Sequence, residues 1–186
     1  MARLLPIPDH VRLVSVNNEL RDGIEVEIRR YQANESVRLG GPHLTTIASH
    51  DGSYLLSYTN LTNNHSSGML PERDEAEELA MMVMRAVDQD YAEGLRLLRI
   101  ENQHRRFIED GGKVIEFPVL WVKMMHSNGS YNWVTLGRDG QVIEFERQVR
   151  WNYAANRRQT EMWFHDDWVL ARKGKGPQLL APAALA

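Results

Sequence analysis

All five tryptophans of this chain, Trp121, Trp133, Trp151, Trp163 and Trp168, fall between Lys113 and Trp168. That stretch reads as four strands in succession, with a loop at Ser127-Asn128-Gly129 and a tight turn at Arg138-Asp139-Gly140. The clearest strand is Val142 to Trp151. Ile143, Phe145, Val149 and Trp151 alternate with Glu144, Glu146, Gln148 and Arg150, the period-two pattern of a half-buried strand. Val114 to Met125 is apolar on both faces and suggests a strand covered on both sides, with Pro118 demanding an edge or a bulge. Tyr131 to Leu136 lies between them. Gln159 to Ala171 reads as a last strand, broken near His165-Asp166-Asp167.

Upstream, Val11 to Val16 and Ile24 to Tyr31 form a hairpin joined by a loop, opening at Asn17-Asn18 and closing at Asp22-Gly23, that is longer than two residues. His43 to Ser49 and Ser53 to Leu61 form a second hairpin across His50-Asp51-Gly52, where Asp-Gly accepts positive φ. Thr62 to Leu70 is a loop of turn formers. Pro71 to Gln89 is the one convincing helix. Pro71 suits its first turn, five carboxylates crowd its N-terminal half, and Ala76, Leu79, Ala80, Val83 and Val87 form an apolar stripe. Leu95 to Ile108 is a further strand.

This layout predicts an α+β fold: an antiparallel sheet of several hairpins packed on one main helix at about residues 72–89. His50-Asp-Gly-Ser-Tyr54 matches His126-Ser-Asn-Gly-Ser-Tyr131 apart from one inserted residue. Two related α/β halves and common turn chemistry explain that match equally. A single domain over 1–172 is expected, divisible into an N-terminal half (9–62) and a helix-plus-sheet half (71–172). Low-complexity residues 173–186 read as a flexible tail.

A chain of 186 residues with 42% hydrophobic and 25% charged residues can bury a core without disulfides or metal. It has no cysteine, which removes thiolate chemistry and Cys-based zinc. A net charge of −3 gives no footprint for nucleic acid. No apolar run has the length of a membrane span. The start is not a signal peptide as it stands, so the expectation is cytoplasmic, or extracytoplasmic after removal of a leader.

No motif identifies a reaction. His165, Asp166 and Asp167 are adjacent, so on a strand they point to opposite faces and read as a turn rather than a metal site. Glu144 and Glu146 share one strand face and read as a solvated outer surface rather than an acid/base pair. The expectation is no catalytic residue, no metal and no cofactor. The aromatic set Trp121, Tyr131, Trp133, Trp151, Tyr153 and Trp163 reads either as core and cross-strand pairing or as a face that grips a protein or peptide.

Glu72-Arg-Asp-Glu-Ala-Glu-Glu-Leu-Ala80 opens a helix, followed by Phe117-Pro-Val-Leu-Trp-Val-Lys123 and Asn132-Trp-Val-Thr-Leu-Gly-Arg-Asp-Gly-Gln-Val-Ile143. Over residues 43–147 this resembles the PepSY domain and the propeptide modules of secreted metallopeptidases. The resemblance implies a non-enzymatic inhibitor or chaperone of a secreted hydrolase, working through a protein or peptide partner. The alternative is a small-molecule pocket between helix and curved sheet, hosting a minor enzyme that uses His126 or His165. A third is self-association through an edge strand, as in a homodimer.

Overall fold

The computed structural model describes residues 4–62 and 68–186. Residues 63–67 of the loop expected at 62–70 lie outside the described residues. The chain is mostly sheet. Strands β1 (Arg12–Arg21), β2 (Ile24–Gln32), β3 (His43–Ser49) and β4 (Leu55–Leu61) are followed by helices α1 (Arg73–Val87) and α2 (Gln89–Ala92). Strands β5 (Leu95–Ile108), β6 (Val114–His126), β7 (Tyr131–Leu136) and β8 (Val142–Val149) come next. The short strands β9 (Trp151–Asn152) and β10 (Arg157–Arg158) and helix α3 (Asp166–Arg172) complete the chain. The first eight strands form one sheet in the order β1-β2-β3-β4-β8-β7-β6-β5, every neighbour antiparallel. Two four-stranded meanders thus meet where β4 pairs with β8. The result is a mixed fold dominated by a large antiparallel sheet, with few helices.

Turn chemistry sets the registers. Arg21 pairs with Ile24, so the first hairpin closes in two residues, and β1 runs straight through the loop expected at Asn17-Asn18. Asp22 and Gly23 both have positive φ, 51° and 78°, as the tight hairpin turn that matches strand twist requires. The matched turn motifs join β3 to β4 in the first meander but β6 to β7 in the second. They are therefore not at equivalent places, and shared turn chemistry accounts for them. Pro118 pairs only with His104 of β5, because β7 pairs with β6 over Leu120–Met125 alone. A residue without an N–H is tolerated there because that side of the strand has no ladder partner.

The two faces of the sheet are covered differently. On one, Ala76, Ala80, Val83 and Met84 of α1 pack with Tyr58, Val122, Val134 and Phe145. On the other, Trp163, Trp168 and Ala184 pack against Val26, Ile28, Ile47 and Leu56 of β2–β4. Here the expected last strand, Gln159 to Ala171, is absent. The segment is irregular and then turns into α3, with His165 at its N-cap. The aromatic pattern read as a strand face is a plug: Trp163 and Trp168 meet edge to face at 4.9 Å between centroids. Residues 173–186, whose composition suggests a tail, run back across this plug. Pro182 O accepts from the Arg158 amide at 2.9 Å, and Ala183 O and Leu179 O accept from the Arg157 guanidinium at 2.8 and 2.9 Å.

Trp168 is fully buried and its Nε1 donates to Leu185 O at 3.3 Å. Replacing it by Ala empties the centre of the plug, and the expected loss is about 3–5 kcal/mol in denaturant unfolding. Tyr153→Ala, at a side chain 73% exposed, is expected to change stability by no more than about 0.5 kcal/mol.

Candidate functional site

The plug covers β2–β4 but leaves the rest of this face open. Register identifies what points there. Ser57 lies opposite Glu146, which lies opposite Trp133, which lies opposite Lys123. One step along, Thr59, Glu144, Thr135 and Trp121 form the next row. Side chains in such rows share a sheet face. The distal half of the β5–β6 hairpin extends beyond β7 and folds over this face. There Phe107, Phe117 and Val119 pack on Ile143 and Leu61, and the Ile108 amide donates to Gly40 O at 2.8 Å. Arg38 ties the hairpin tip from the opposite side, bonding Asp110 and Glu109 O. Between the hairpin, the sheet and the plug lies a groove of about 660 Å3, bordered by Trp121, Trp133, Ser57, His43, Phe164 and His165 among others.

The charges around the groove are paired with one another. Arg105 reaches from β5 to β8 and grips Glu144 with two bonds of 2.7 Å, while the Thr135 hydroxyl donates to the same carboxylate at 2.6 Å. Burial alone would push Glu144 up, but the Arg105 charge and these bonds outweigh it and hold the carboxyl below its ordinary value. Glu146, 2% exposed, accepts from Arg21 at 3.2 Å and from both terminal nitrogens of Arg158, one at 2.9 Å. Asp166 is clasped by Arg30 at 2.6 and 2.9 Å and by the Gly40 amide at 2.6 Å. Burial would raise this carboxyl too, and the Arg30 bonds and the positive surroundings lower it. Glu144 and Glu146 are therefore not the solvated outer face that their alternation with apolar residues suggests. They lie on the inner, covered face of a central strand.

The expected aromatic residues separate into groups. Trp121 and Trp133 border the groove together, 5.6 Å apart with planes tilted 56°. Arg158 lies over both Trp133 and Phe164, at 5.7 and 5.4 Å. Tyr131, two residues from Trp133 on β7, shares its face; its hydroxyl meets that of Tyr153 at 2.6 Å, and Lys123 Nζ stands 4.0 Å over its ring. Trp151 is half-buried on β9, paired with Arg158 of β10. Trp163 belongs to the plug. The two histidines considered for chemistry lie apart: His165 borders the groove, whereas His126 stacks on Tyr91 at 4.1 Å and packs against Gly94. Among the described residues no three or more His, Asp and Glu side chains are grouped as metal ligands would be. Among them, too, no helix is long and apolar enough to cross a membrane.

Sequence reasoning did not single out His43 or Ser57. His43 is 5% exposed. Its Nδ1 lies 2.8 Å from Gly41 O; a carbonyl can only accept, so the proton is on Nδ1 and Nε2 carries the lone pair. Burial, reinforced by Arg30, pulls the imidazole down to about 4.

The chain matches no model of a known protein family, and no curated protein matches it in sequence.

His43 makes stability depend on pH. Its folded pKa is below the unfolded value of 6.5, so the unfolded chain binds the proton more readily. Stability is full above pH 6.5 and falls as pH drops from there to about 4. The lowered carboxyls of Glu144 and Asp166 lose their contribution only below their ordinary values near 4. Denaturant unfolding between pH 7 and 4.5 should therefore show most of a loss on the order of 3 kcal/mol. In His43→Asn that slope should be absent.

Proposed function

We propose that the protein is a non-enzymatic binding protein whose groove, between the sheet, the β5–β6 hairpin and the C-terminal plug, holds a small organic molecule. The observation that carries this reading is the groove itself. Its volume of about 660 Å3 is that of a small-molecule site, and Trp121 and Trp133 supply the apolar surface such sites use for grip. A binding role is favoured over catalysis because Glu144 and Glu146 are each locked to arginine. The Arg105 charge and its bonds hold Glu144 ionised, and a carboxylate so held is poorly suited to donate a proton near neutral pH.

A second reading is a protein or peptide partner, with PepSY-like inhibition or chaperoning of a secreted hydrolase as its sharpest form. The observation favouring it is the surface beside the groove, where the exposed Tyr153 extends the aromatic wall through Tyr131. Trp and Tyr are the residues that most often anchor such contacts.

Native mass spectrometry of the purified protein, beside its denatured mass, tests the proposal. The expected result is a native mass above a whole number of chains, with the excess lost on denaturation and in Trp121→Leu/Trp133→Leu. An excess that survives the double substitution would place the ligand elsewhere and overturn the groove reading. A clean mass, with a peptide bound in a Tyr153-dependent manner, would favour the second.

A further inference from the structure

Beside the groove, the same sheet face continues over the start of β5, the end of β6 and the start of β7. It is open there: Arg96, Arg99 and Met125 are exposed. Register sets out two rows. Arg96 lies opposite Met125, which lies opposite Tyr131; Arg99 lies opposite Lys123, which lies opposite Trp133. The charges of these rows are not matched as those of the groove are, where Glu144, Glu146 and Asp166 each have an arginine. Lys123 is half-buried. Among the described residues its ammonium has neither a hydrogen bond nor a carboxylate at ion-pair distance; it rests on the rings of Tyr131 and Trp121, at 4.0 and 5.2 Å. Arg99 also stands over Trp121, at 5.5 Å, so two like charges converge on one indole. Glu101, the carboxylate that acts on Lys123, is held by Arg99 at 3.0 Å and by Gln103 at 3.2 Å. Burial first and Arg99 second pull the lysine's pKa down, because lost hydration and repulsion both disfavour its charge. Ring faces attract a cation, but they offer its three N–H donors no lone pair. An anion between Lys123 and Arg99 would supply the acceptors and relieve the repulsion.

We infer that this face docks an extended acidic peptide segment with carboxylates at alternate positions, one against Arg96 and the next between Arg99 and Lys123. The inference rests on the second functional reading, a protein or peptide partner, and is independent of what the groove holds. The alternation follows from register. Met125 and Lys123 mark rows two residues apart along β6, about 7 Å, which is also the separation of alternate side chains in an extended chain. Glu101 opposes Trp121 in the next row and repels a third acid in the series. A peptide fits better than a uniform polyanion for the same reason: the cations stand among Met125, Trp121, Tyr131 and Glu101, not in an unbroken basic stripe. The exposed Tyr153, bonded through its hydroxyl to Tyr131 at 2.6 Å, adds the aromatic surface that anchors such contacts.

Fluorescence anisotropy of the full chain with labelled, end-blocked peptides tests this. The probe is Gly-Glu-Thr-Glu-Tyr-Gly; one control replaces both glutamates by glutamine, and another, Gly-Glu-Glu-Thr-Tyr-Gly, makes them adjacent. The probe should bind at least about tenfold tighter than either control, and more weakly as salt is added. Lys123→Gln and Arg99→Gln should each weaken it by about tenfold. Lys123→Gln should leave the melting temperature of the free protein unchanged or raised, because no ion pair is lost; a merely structural lysine would lower it. Tyr153→Ala reports on the aromatic surface alone. Binding lost in Tyr153→Ala but unchanged in Lys123→Gln and Arg99→Gln, or a glutamine control that binds as tightly, overturns the acidic partner and leaves the second reading standing. An adjacent-glutamate control that binds as tightly overturns the alternate spacing, and sucrose octasulfate that binds this face more tightly than the probe overturns the peptide class. No binding of any of the three peptides overturns both the inference and the second reading.

Discussion

Two carboxylates on the central strand β8 determine how the rest of this chain must fold. Glu144 and Glu146 face the interior side of the sheet, where an uncompensated charge costs several kcal/mol. Neither finds a cation on a neighbouring strand. Glu144 is met by Arg105, which reaches it only because the β5–β6 hairpin folds over the sheet. Glu146 is met by Arg21 from the first hairpin and Arg158 from the C-terminal segment. Arg158 also donates to the Thr160 and Glu161 carbonyls at 2.6 and 3.1 Å, which holds the start of the plug segment to the sheet. Three distant parts of the chain are thus drawn to one strand by charge. Buried pairs of this kind add little net stability, but removing one partner is expensive. Their effect here is to fix geometry.

That geometry leaves space. The hairpin approaches from one side and touches down at Gly40 and on Ile143 and Leu61. The plug approaches from the other side and fills the region over β2–β4 with Trp163 and Trp168. The long arginine side chains span the interval between them, and Trp121 and Trp133 line it instead of filling it. A core under no such constraint would close to crystal-like density. Here the arginine–carboxylate pairs act as struts, and His43 and Ser57 border the volume that remains.

Much of the sheet is legible in the sequence, because local period and turn chemistry decide it. Leu95–Ile108 and Tyr131–Leu136 are strands at the expected bounds, α1 lies within the expected helix, and Pro118 sits where one side of β6 has no neighbour. The first hairpin is tighter than expected because Asp22-Gly23 suffices by itself. The failures lie where non-local contacts override pattern. Glu144 and Glu146 alternate with apolar residues, as solvent-facing positions do, and nothing nearby in sequence announces that Arg105 and Arg158 will cover them. The one available hint is β6, apolar on both faces, which implies a sheet covered on both sides. Trp163 and Phe164 suggest a strand, but their segment has no strand neighbour: β8 is already paired on both sides, and the residues fold as a plug ending in α3. The site is hidden for the same reason: His43 and Ser57 carry no motif, and only the register of β3, β4 and β8 brings them to one wall.

The Arg105–Glu144 pair bridges the hairpin and β8, and the groove depends on it. A double-mutant cycle in denaturant unfolding with Arg105→Met, Glu144→Gln and the pair together tests it most directly. The expected coupling free energy is roughly 1–3 kcal/mol, with the double variant far more stable than the sum of the single losses implies. Additivity within about 0.3 kcal/mol would contradict it, because it would mean that the hairpin holds its place without the pair.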